Sequence, residues 1–257
     1  MSNFRLKALV HGESGAGKSW LGAQTPGPRL VLDAEGGSGY ARQVNPDGTT
    51  QLPPALTWDP MTGAPPSDLD PNASVFVRVT AAEQVEQAYA WLASGQHEFR
   101  SVVLDSLTDI QLSVRYMIRD GQSTQKDVTD ERSWGILLDQ MIELCRKFRD
   151  LTDNPARPLD CVLILSGSEV KDGQWVPQVQ GGLRGRLAGY FDLVMYLANE
   201  QDVITKQFTR RGHITNGPRW VAKDRTHVLT EQYGDSIDNP TIAAIMAALT
   251  TGATAND

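Results

Sequence analysis

The residues Gly12, Glu13, Ser14, Gly15, Ala16, Gly17, Lys18 and Ser19 follow the apolar run Leu6 to Val10 and satisfy the spacing G-x-x-x-x-G-K-[ST] at every position. Each residue type has a chemical reason. Glycines at 12, 15 and 17 let the backbone wrap so that successive N–H groups point inward at phosphate oxygens. Lys18 supplies a compact cation for the β- and γ-phosphates, and the Ser19 hydroxyl is a hard oxygen donor suited to Mg²⁺. The segment therefore predicts a site for ATP and Mg²⁺, with Gly12 to Ser19 around the phosphates.

Two acidic segments could complete such a site. Ser101-Val102-Val103-Leu104-Asp105 reads as a buried strand ending in a carboxylate, which places Asp105 where it can hold the ion or its bound water. Leu30-Val31-Leu32-Asp33-Ala34-Glu35 ends in two acids two residues apart, on one side if the chain stays extended. One of the two is a candidate general base to orient and activate water in line with the γ-phosphate.

These groups need a scaffold that brings several strand ends together. Strand-like runs recur at Leu6 to Val10, Leu30 to Leu32, Val102 to Leu104, Cys161 to Leu165 and Leu193 to Leu197, most with helical patterns between them. That alternation predicts an α/β fold with a mostly parallel sheet covered by helices. A helix over Ala81 to Ala93 is expected, with Thr80 and Glu83 as its capping box and Gly95 as its stop. A second carries the core-facing stripe Trp134, Leu137, Met141, Leu144, Phe148 and Leu151. Asn45 to Asn72, crowded with Pro, Gly, Asp and Thr, reads as a surface excursion. A hairpin is expected at Lys171 to Gln174, a further strand pair at Val203 to Phe208 with Arg219 to Ala222, and a last helix from Pro240.

Composition narrows the rest. The 257 residues are 40% apolar and 21% charged, enough for a full core, and the longest apolar run, Ile242 to Leu249, is too short to span a bilayer. No secretory signal is visible, so a cytoplasmic protein without membrane contact is expected. Cys145 and Cys161 share no ligand spacing with His11, His97, His213 or His227, which excludes a zinc reading. A net charge of −7 disfavours a free-standing nucleic-acid binder, so any DNA contact needs a local patch. The stretch from Val203 to His227 offers one: Lys206, Arg210, Arg211, Arg219, Lys223 and Arg225 stand against Asp224 alone. Arg184 and Arg186, in a glycine-rich segment after Trp175, suit a DNA-contacting loop in which the indole stacks on a base. Ser166 and Ser168, at the end of the fourth core strand, are candidates to sense the γ-phosphate.

Taken together, HGESGAGKS, LVLDAEGG and VVLDSLTD resemble the RecA-like P-loop NTPase core. That resemblance implies that Glu35 is the catalytic glutamate and Asp105 the magnesium acid. The fuller ordered set resembles the Sak-type single-strand-annealing ATPases of bacteriophages. It comprises Ser106 to Asp109 after the magnesium strand, Ser133 to Gly135 in a helix, Gly189 to Asp192, and Lys223 to Arg225. Residues 222–225 are similar to the Lys-Asn-Arg motif of RadA-like and DnaB-like proteins, whose cations reach the ATP site of an adjacent subunit; this implies catalytic roles in trans for Lys223 and Arg225. Here Asp224 replaces the Asn, Thr226-His227 replaces Phe-Gly, and Trp20 stands where a small residue is expected. The resemblance implies a single RecA-like ATPase domain over 1–250 with a C-terminal strand hairpin; the 45–72 excursion has no part in the family pattern, and the small polar residues at 251–257 read as a flexible tail. The resemblance also implies DNA-stimulated ATP hydrolysis at the interfaces of a homo-oligomer, action on single-stranded DNA in recombination, and loading by a single-stranded-DNA-binding protein. Two other classes fit a P-loop: a small-molecule kinase, which would transfer phosphate to a metabolite, and a non-hydrolysing nucleotide-dependent adaptor of a replication or packaging complex.

Overall fold

A computed structural model describes residues 4–37, 43–44, 50–51, 55–120, 131–201 and 206–255. In chain order the elements are β1 (Leu6–Gly12), α1 (Lys18–Gly22), β2 (Arg29–Asp33), β3 (Gln43–Val44), β4 (Thr50–Gln51), β5 (Ala55–Thr57), β6 (Ser74–Arg78), α2 (Ala82–Ser94), β7 (Ser101–Asp105), α3 (Leu107–Asp120) and α4 (Glu131–Asp150). Then follow β8 (Cys161–Ser166), β9 (Ser168–Lys171), β10 (Gln174–Pro177), α5 (Leu183–Tyr190), β11 (Leu193–Gln201), β12 (Phe208–His213), β13 (Lys223–Asp224), α6 (Val228–Tyr233), β14 (Ser236–Asp238) and α7 (Ile242–Ala255).

The main sheet runs β14-β12-β11-β1-β8-β7-β2-β6-β5, parallel from β11 to β5 and antiparallel at β12 and β14, with β13 paired to the start of β11. Its central strands are apolar through their middles and buried at nearly every position because both faces are covered. Leu9, Leu32, Val102, Ile164 and Val194 point to the face packed by α2, α3, α4 and α5, where Leu92, Ile110, Phe148 and Leu187 meet them. Ala8, Val10, Val31, Val103, Leu163 and Met195 point to the other face, against Leu21 of α1, Leu229 of α6 and Ile242, Ile245 and Leu249 of α7. This is the expected α/β architecture, mostly parallel with helices on both faces and an antiparallel strand hairpin near the C-terminus.

Several local expectations are corrected. The cap of α2 is Gln84 rather than Glu83: its Oε1 accepts from the amides of Thr80 and Ala81, because the helix begins one residue later than the pattern implied. The excursion is partly sheet. β5 adds to the edge beside β6, and Trp58 turns into the core against Phe99, an anchor that the surrounding polar residues conceal; positions 45–49 and 52–54 lie outside the described residues. The expected pairing of Val203 to Phe208 with Arg219 to Ala222 is replaced by a β11–β12 hairpin, in which Tyr196 faces His213 and Asn199 faces Arg210; positions 202–205 lie outside the described residues. Beyond Ala198 the strand carries the half-buried or exposed polar residues Asn199, Glu200 and Gln201, so its apolar signal ends before its pairing with β12 does. The segment carrying Arg184 and Arg186 is helix α5, anchored by buried Leu183 and Leu187. Helix α7 runs on to Ala255, through most of the expected tail, with the Thr250 and Thr251 hydroxyls donating to the carbonyls of Met246 and Ala247. The Lys171 to Gln174 turn forms as read, with Asp172 and Gly173 both at positive φ.

Asp224 has a structural role that explains its presence between two cations. Its carboxylate accepts from the amide and hydroxyl of Thr226 and from the amide and hydroxyl of Thr230, so it caps α6. An asparagine can offer only one acceptor oxygen to the same set. Asp224→Ala is expected to lower unfolding free energy by about 2–3 kcal/mol, measured by urea denaturation, with Asp224→Asn in between.

An aromatic row crosses three strands next to Gly12. His11 lies opposite Tyr196, which lies opposite His213, and Trp175 and Trp220 stack on Tyr196 at ring separations of 5.9 and 6.0 Å. His11 is fully buried between the Ser168 hydroxyl and the Val221 carbonyl, 2.7 Å from each. Burial holds its pKa down to about 4, opposed by the Val221 bond and helped by the nearby Lys18 charge. The unfolded chain therefore takes up a proton that native His11 refuses between pH 6.5 and 4. Stability is complete above pH 6.5 and falls as the pH drops through that window, by about 3 kcal/mol for this residue. Urea unfolding at pH 7 and pH 4.5 checks this; His11→Gln should flatten the pH dependence, and an unaltered slope would assign the acid sensitivity elsewhere.

Candidate functional site

The C-terminal ends of β1, β2 and β7 meet at one edge of the sheet. From β1 the chain enters the Gly12 to Ser19 loop, which begins where no side chain fits: a Cβ on Gly12 would run into the Leu197 carbonyl of β11. Gly17 closes the loop at φ 94°, a left-handed conformation that lets α1 start at Lys18. The Lys18 side chain is only 8% exposed, and its Nζ donates to the carbonyls of Gly12 and Glu13, both at 3.0 Å. Burial lowers its pKa, and the negative fields of Glu35 and then Asp105 oppose that shift. The three residues read separately from sequence thus share one electrostatic environment.

The order of the strands explains the convergence. Asp33 is in register with Asp105 across β2 and β7, and the Asp105 backbone carbonyl accepts from the amides of Ala34, at 2.7 Å, and Glu35, at 3.4 Å. This holds the turn after β2 against the end of β7. Within the turn the two acids separate in role. Asp33 Oδ1 accepts from the Gly36 amide at 2.6 Å and lies 3.8 Å from Arg78 Nη1, so this carboxylate shapes the backbone. Glu35 is exposed and stands in the field of Lys18. Asp105 is 1% exposed, at the base of the site.

The donor set fits magnesium. Ser19 and Asp105 offer a hydroxyl and a carboxylate, both hard oxygens, and among the described residues no group of three or more His, Cys, Asp or Glu gathers to hold a metal alone. An ion that takes one or two protein oxygens and completes its shell with phosphate and water suits that arrangement.

Ser166 and Ser168 are engaged nearby. The Ser166 hydroxyl donates to the Gly167 carbonyl, and Thr108 of the Ser106 to Asp109 stretch accepts from the Gly167 amide and donates to the Gln178 carbonyl. Ser168 bonds His11. The ends of β7 and β8 are therefore tied together beside the loop.

The other candidates do not share this place. Lys223 and Arg225 sit at the opposite end of the sheet, where β13 pairs with the first residues of β11. Lys223 donates to the Ala188 carbonyl, and Arg225 bonds the Asp192 carboxylate at 2.6 Å and the Gly189 carbonyl at 2.9 Å, closing the end of α5. The basic stretch is not one stripe: Arg211 pairs with Glu200 and Asp238, and Arg219 lies over the Trp220 ring. Arg184 pairs with Glu169, while Arg186 is exposed on α5. Trp175 is committed to the stack on Tyr196, so the expected base-stacking role finds its ring already packed. Arg210, expected on a DNA surface, instead lies over the Lys18 loop. The one signal available in sequence was the two-residue period of a strand, which sends adjacent arginines to opposite faces.

A separate cleft of about 700 Å³ flanks the Glu35 turn, lined among others by Asp33, Gly36, Trp58, Asp59, Arg78 and Gln84. Among the described residues no helix is long and apolar enough to cross a membrane.

Residues 5–226 match the AAA domain family. No curated protein matches the chain. Among solved structures, a prototypical ATPase from the type III secretion system of pathogenic bacteria aligns at 11% identity over 76% of this chain and 52% of its own, with a TM-score of 0.43. The chain thus spans about half the length of that protein. With the family matched across both the phosphate loop and the acidic strand ends, the chain belongs to the AAA domain family of P-loop ATPases.

Proposed function

We propose that the protein is an Mg²⁺-dependent ATPase, one RecA-like unit over residues 1–250, that acts on single-stranded DNA as a Sak-type annealing protein and hydrolyses ATP between subunits of a homo-oligomer. The observation that carries the hydrolytic reading is the convergence of Lys18, Glu35 and Asp105 at one sheet edge. In this reading the loop amides and Lys18 take the phosphate oxygens, the ammonium exchanging its two carbonyl acceptors for phosphate. Ser19 and Asp105 would hold magnesium, which offsets charge developing on the β- and γ-phosphates when bound. Glu35 accepts a proton from the attacking water as the water oxygen bonds the γ-phosphorus and the bond to the bridging oxygen breaks, releasing ADP and phosphate. The fixing of Asp33 to Gly36 and Arg78 favours Glu35 as the base.

The DNA role rests on the ordered resemblance from the phosphate loop to Lys223 and Arg225. Exposed Arg186 on α5 and the half-exposed Arg225 are the cations we assign to surfaces that meet DNA or a second subunit. A single-stranded-DNA-binding protein is the partner proposed for loading. Steady-state ATP hydrolysis with and without single-stranded DNA, repeated with that partner, tests the whole reading. Phosphate transferred to a metabolite would replace it with a kinase, and ATP binding without turnover on any DNA would replace it with an adaptor.

Lys18→Ala is expected to abolish ATP binding and turnover while leaving the melting temperature close to the parent's. Glu35→Gln is expected to keep ATP bound and cut hydrolysis by about 10²-fold or more. Titration calorimetry and phosphate release measure the two, and the Gln phenotype appearing at Asp33→Asn instead would move the base to Asp33.

Arg225→Ala removes, within its own chain, a half-exposed ion pair with Asp192 and a hydrogen bond to the Gly189 carbonyl, so its fold should be little affected. If Arg225 completes a neighbour's site, turnover falls by about 10³-fold with ATP affinity kept. Mixing Arg225→Ala with Lys18→Ala subunits should then restore part of the activity at interfaces where a sound loop meets a sound arginine. Absence of rescue, with subunit exchange verified, would remove the interfacial role.

A further inference from the structure

Strand β12 reaches the phosphate loop through one arginine. Arg210 and Arg211 are neighbours on β12 and leave the sheet on opposite faces. Arg211 bonds Glu200 and Asp238 on one face. Arg210 emerges on the other, where its guanidinium carbon stands 4.3 Å from the centre of the Trp20 ring. Its Nε, Cζ and Nη2 lie 2.6 to 2.8 Å from the point that a Cβ on Gly17 would occupy. The absence of a side chain at Gly17 is therefore what admits the guanidinium to the loop. Asn199, directly across the hairpin from Arg210, donates to the Gly15 carbonyl at 3.0 Å, so the hairpin grips the loop at two points.

The chemistry of Arg210 is incomplete within the chain. Among the described residues no carboxylate pairs with it, and its Nε is buried without a hydrogen-bond partner. Burial also lowers its pKa. Stacking on an indole holds a guanidinium in a fixed plane and leaves its N–H groups directed around the rim. A half-buried cation whose buried Nε–H has no acceptor costs stability unless an anion completes it, and a guanidinium fork matches two phosphate oxygens. Trp20, the departure from the expected small residue after Ser19, acts as the platform for that fork.

We propose that Arg210 is a phosphate ligand of the nucleotide site, supplied by the same chain and held in place by Trp20, so that a nucleoside di- or triphosphate is gripped between the loop and β12. This rests on the reading of Gly12 to Ser19 as the nucleotide site and adds to it a cation from the far end of the chain. It also moves Arg210 from the DNA surface to the nucleotide, with a role separate from any cation acting between subunits.

The test is calorimetric binding of Mg²⁺-ATP and Mg²⁺-ADP to the full chain, with Arg210→Ala, Arg210→Lys, Trp20→Leu and Lys18→Ala, together with melting curves in the absence of nucleotide. Arg210→Ala should weaken both nucleotides by about ten- to a hundredfold, the worth of a charge-assisted hydrogen bond. Arg210→Lys should recover part of the loss, and Trp20→Leu should weaken binding less than Arg210→Ala. If Arg210→Ala does not fold, Arg210→Gln is judged by the same criterion. Unchanged affinity in a folded Arg210 variant, with Lys18→Ala binding nothing, overturns the proposal and leaves the nucleotide site standing. A parent protein that binds neither nucleotide overturns the nucleotide site itself. Binding of a fluorescent oligo-dT without nucleotide supplies the last arm: loss there with ATP affinity intact returns Arg210 to a DNA contact and also overturns the proposal.

Discussion

Asp105 enters the site through two groups at once. Its carboxylate contributes to the field around Lys18, and its backbone carbonyl accepts the amides of Ala34 and Glu35. The second contact fixes the turn that carries the other acid. It exists only because β7 lies between β8 and β2 with Asp105 in register with Asp33; a slip of one residue would turn the Asp105 side chain to the opposite face. The positions of Asp33, Glu35 and Asp105 at this edge follow from that register.

The register is in turn held by packing on both faces. Each central strand alternates its side chains between the α2 to α5 layer and the α1, α6 and α7 layer, so a slip would exchange two interlocked sets of apolar contacts. Within so dense a frame the phosphate loop fits where backbone meets backbone, at Gly12 against Leu197, and where a guanidinium meets backbone, at Gly17 against Arg210. Both glycines serve phosphate-loop geometry, and both also make room for the β11–β12 hairpin.

The cations show how misleading a linear count of charge is. Six basic residues between Val203 and His227 read as one basic surface, yet the fold distributes five of them to separate tasks. Arg211 pairs with Glu200 and Asp238, Arg219 lies on Trp220, Lys223 and Arg225 close the end of α5, and Arg210 lies on the phosphate loop. The single acid among them, Asp224, caps a helix. Charge balance within this segment is thus mostly a matter of folding, and Arg210 keeps a buried Nε–H without an acceptor among the described residues.

The sequence by itself determined the sheet and the phosphate loop. Short apolar runs rich in β-branched residues, separated by helical patterns, read as strands buried on both sides, and a phosphate loop is written in contiguous residues whose chemistry is local. It also supplied both flanking acids, because each closes an apolar run. Residue types alone leave Asp33 and Glu35 open, since both stand at the same strand end, and Glu35 is singled out only by resemblance; in the fold a hydrogen bond from Gly36 and the proximity of Arg78 engage Asp33, and Arg78 lies on another strand. Nor could the sequence find Trp58 as a core residue inside a polar excursion, the extension of β11 past its apolar half, or the contact of Arg210 with Gly17. Each of these depends on a partner brought in by strand order from a distant part of the chain, and strand order is set by how whole layers pack, which no local pattern records.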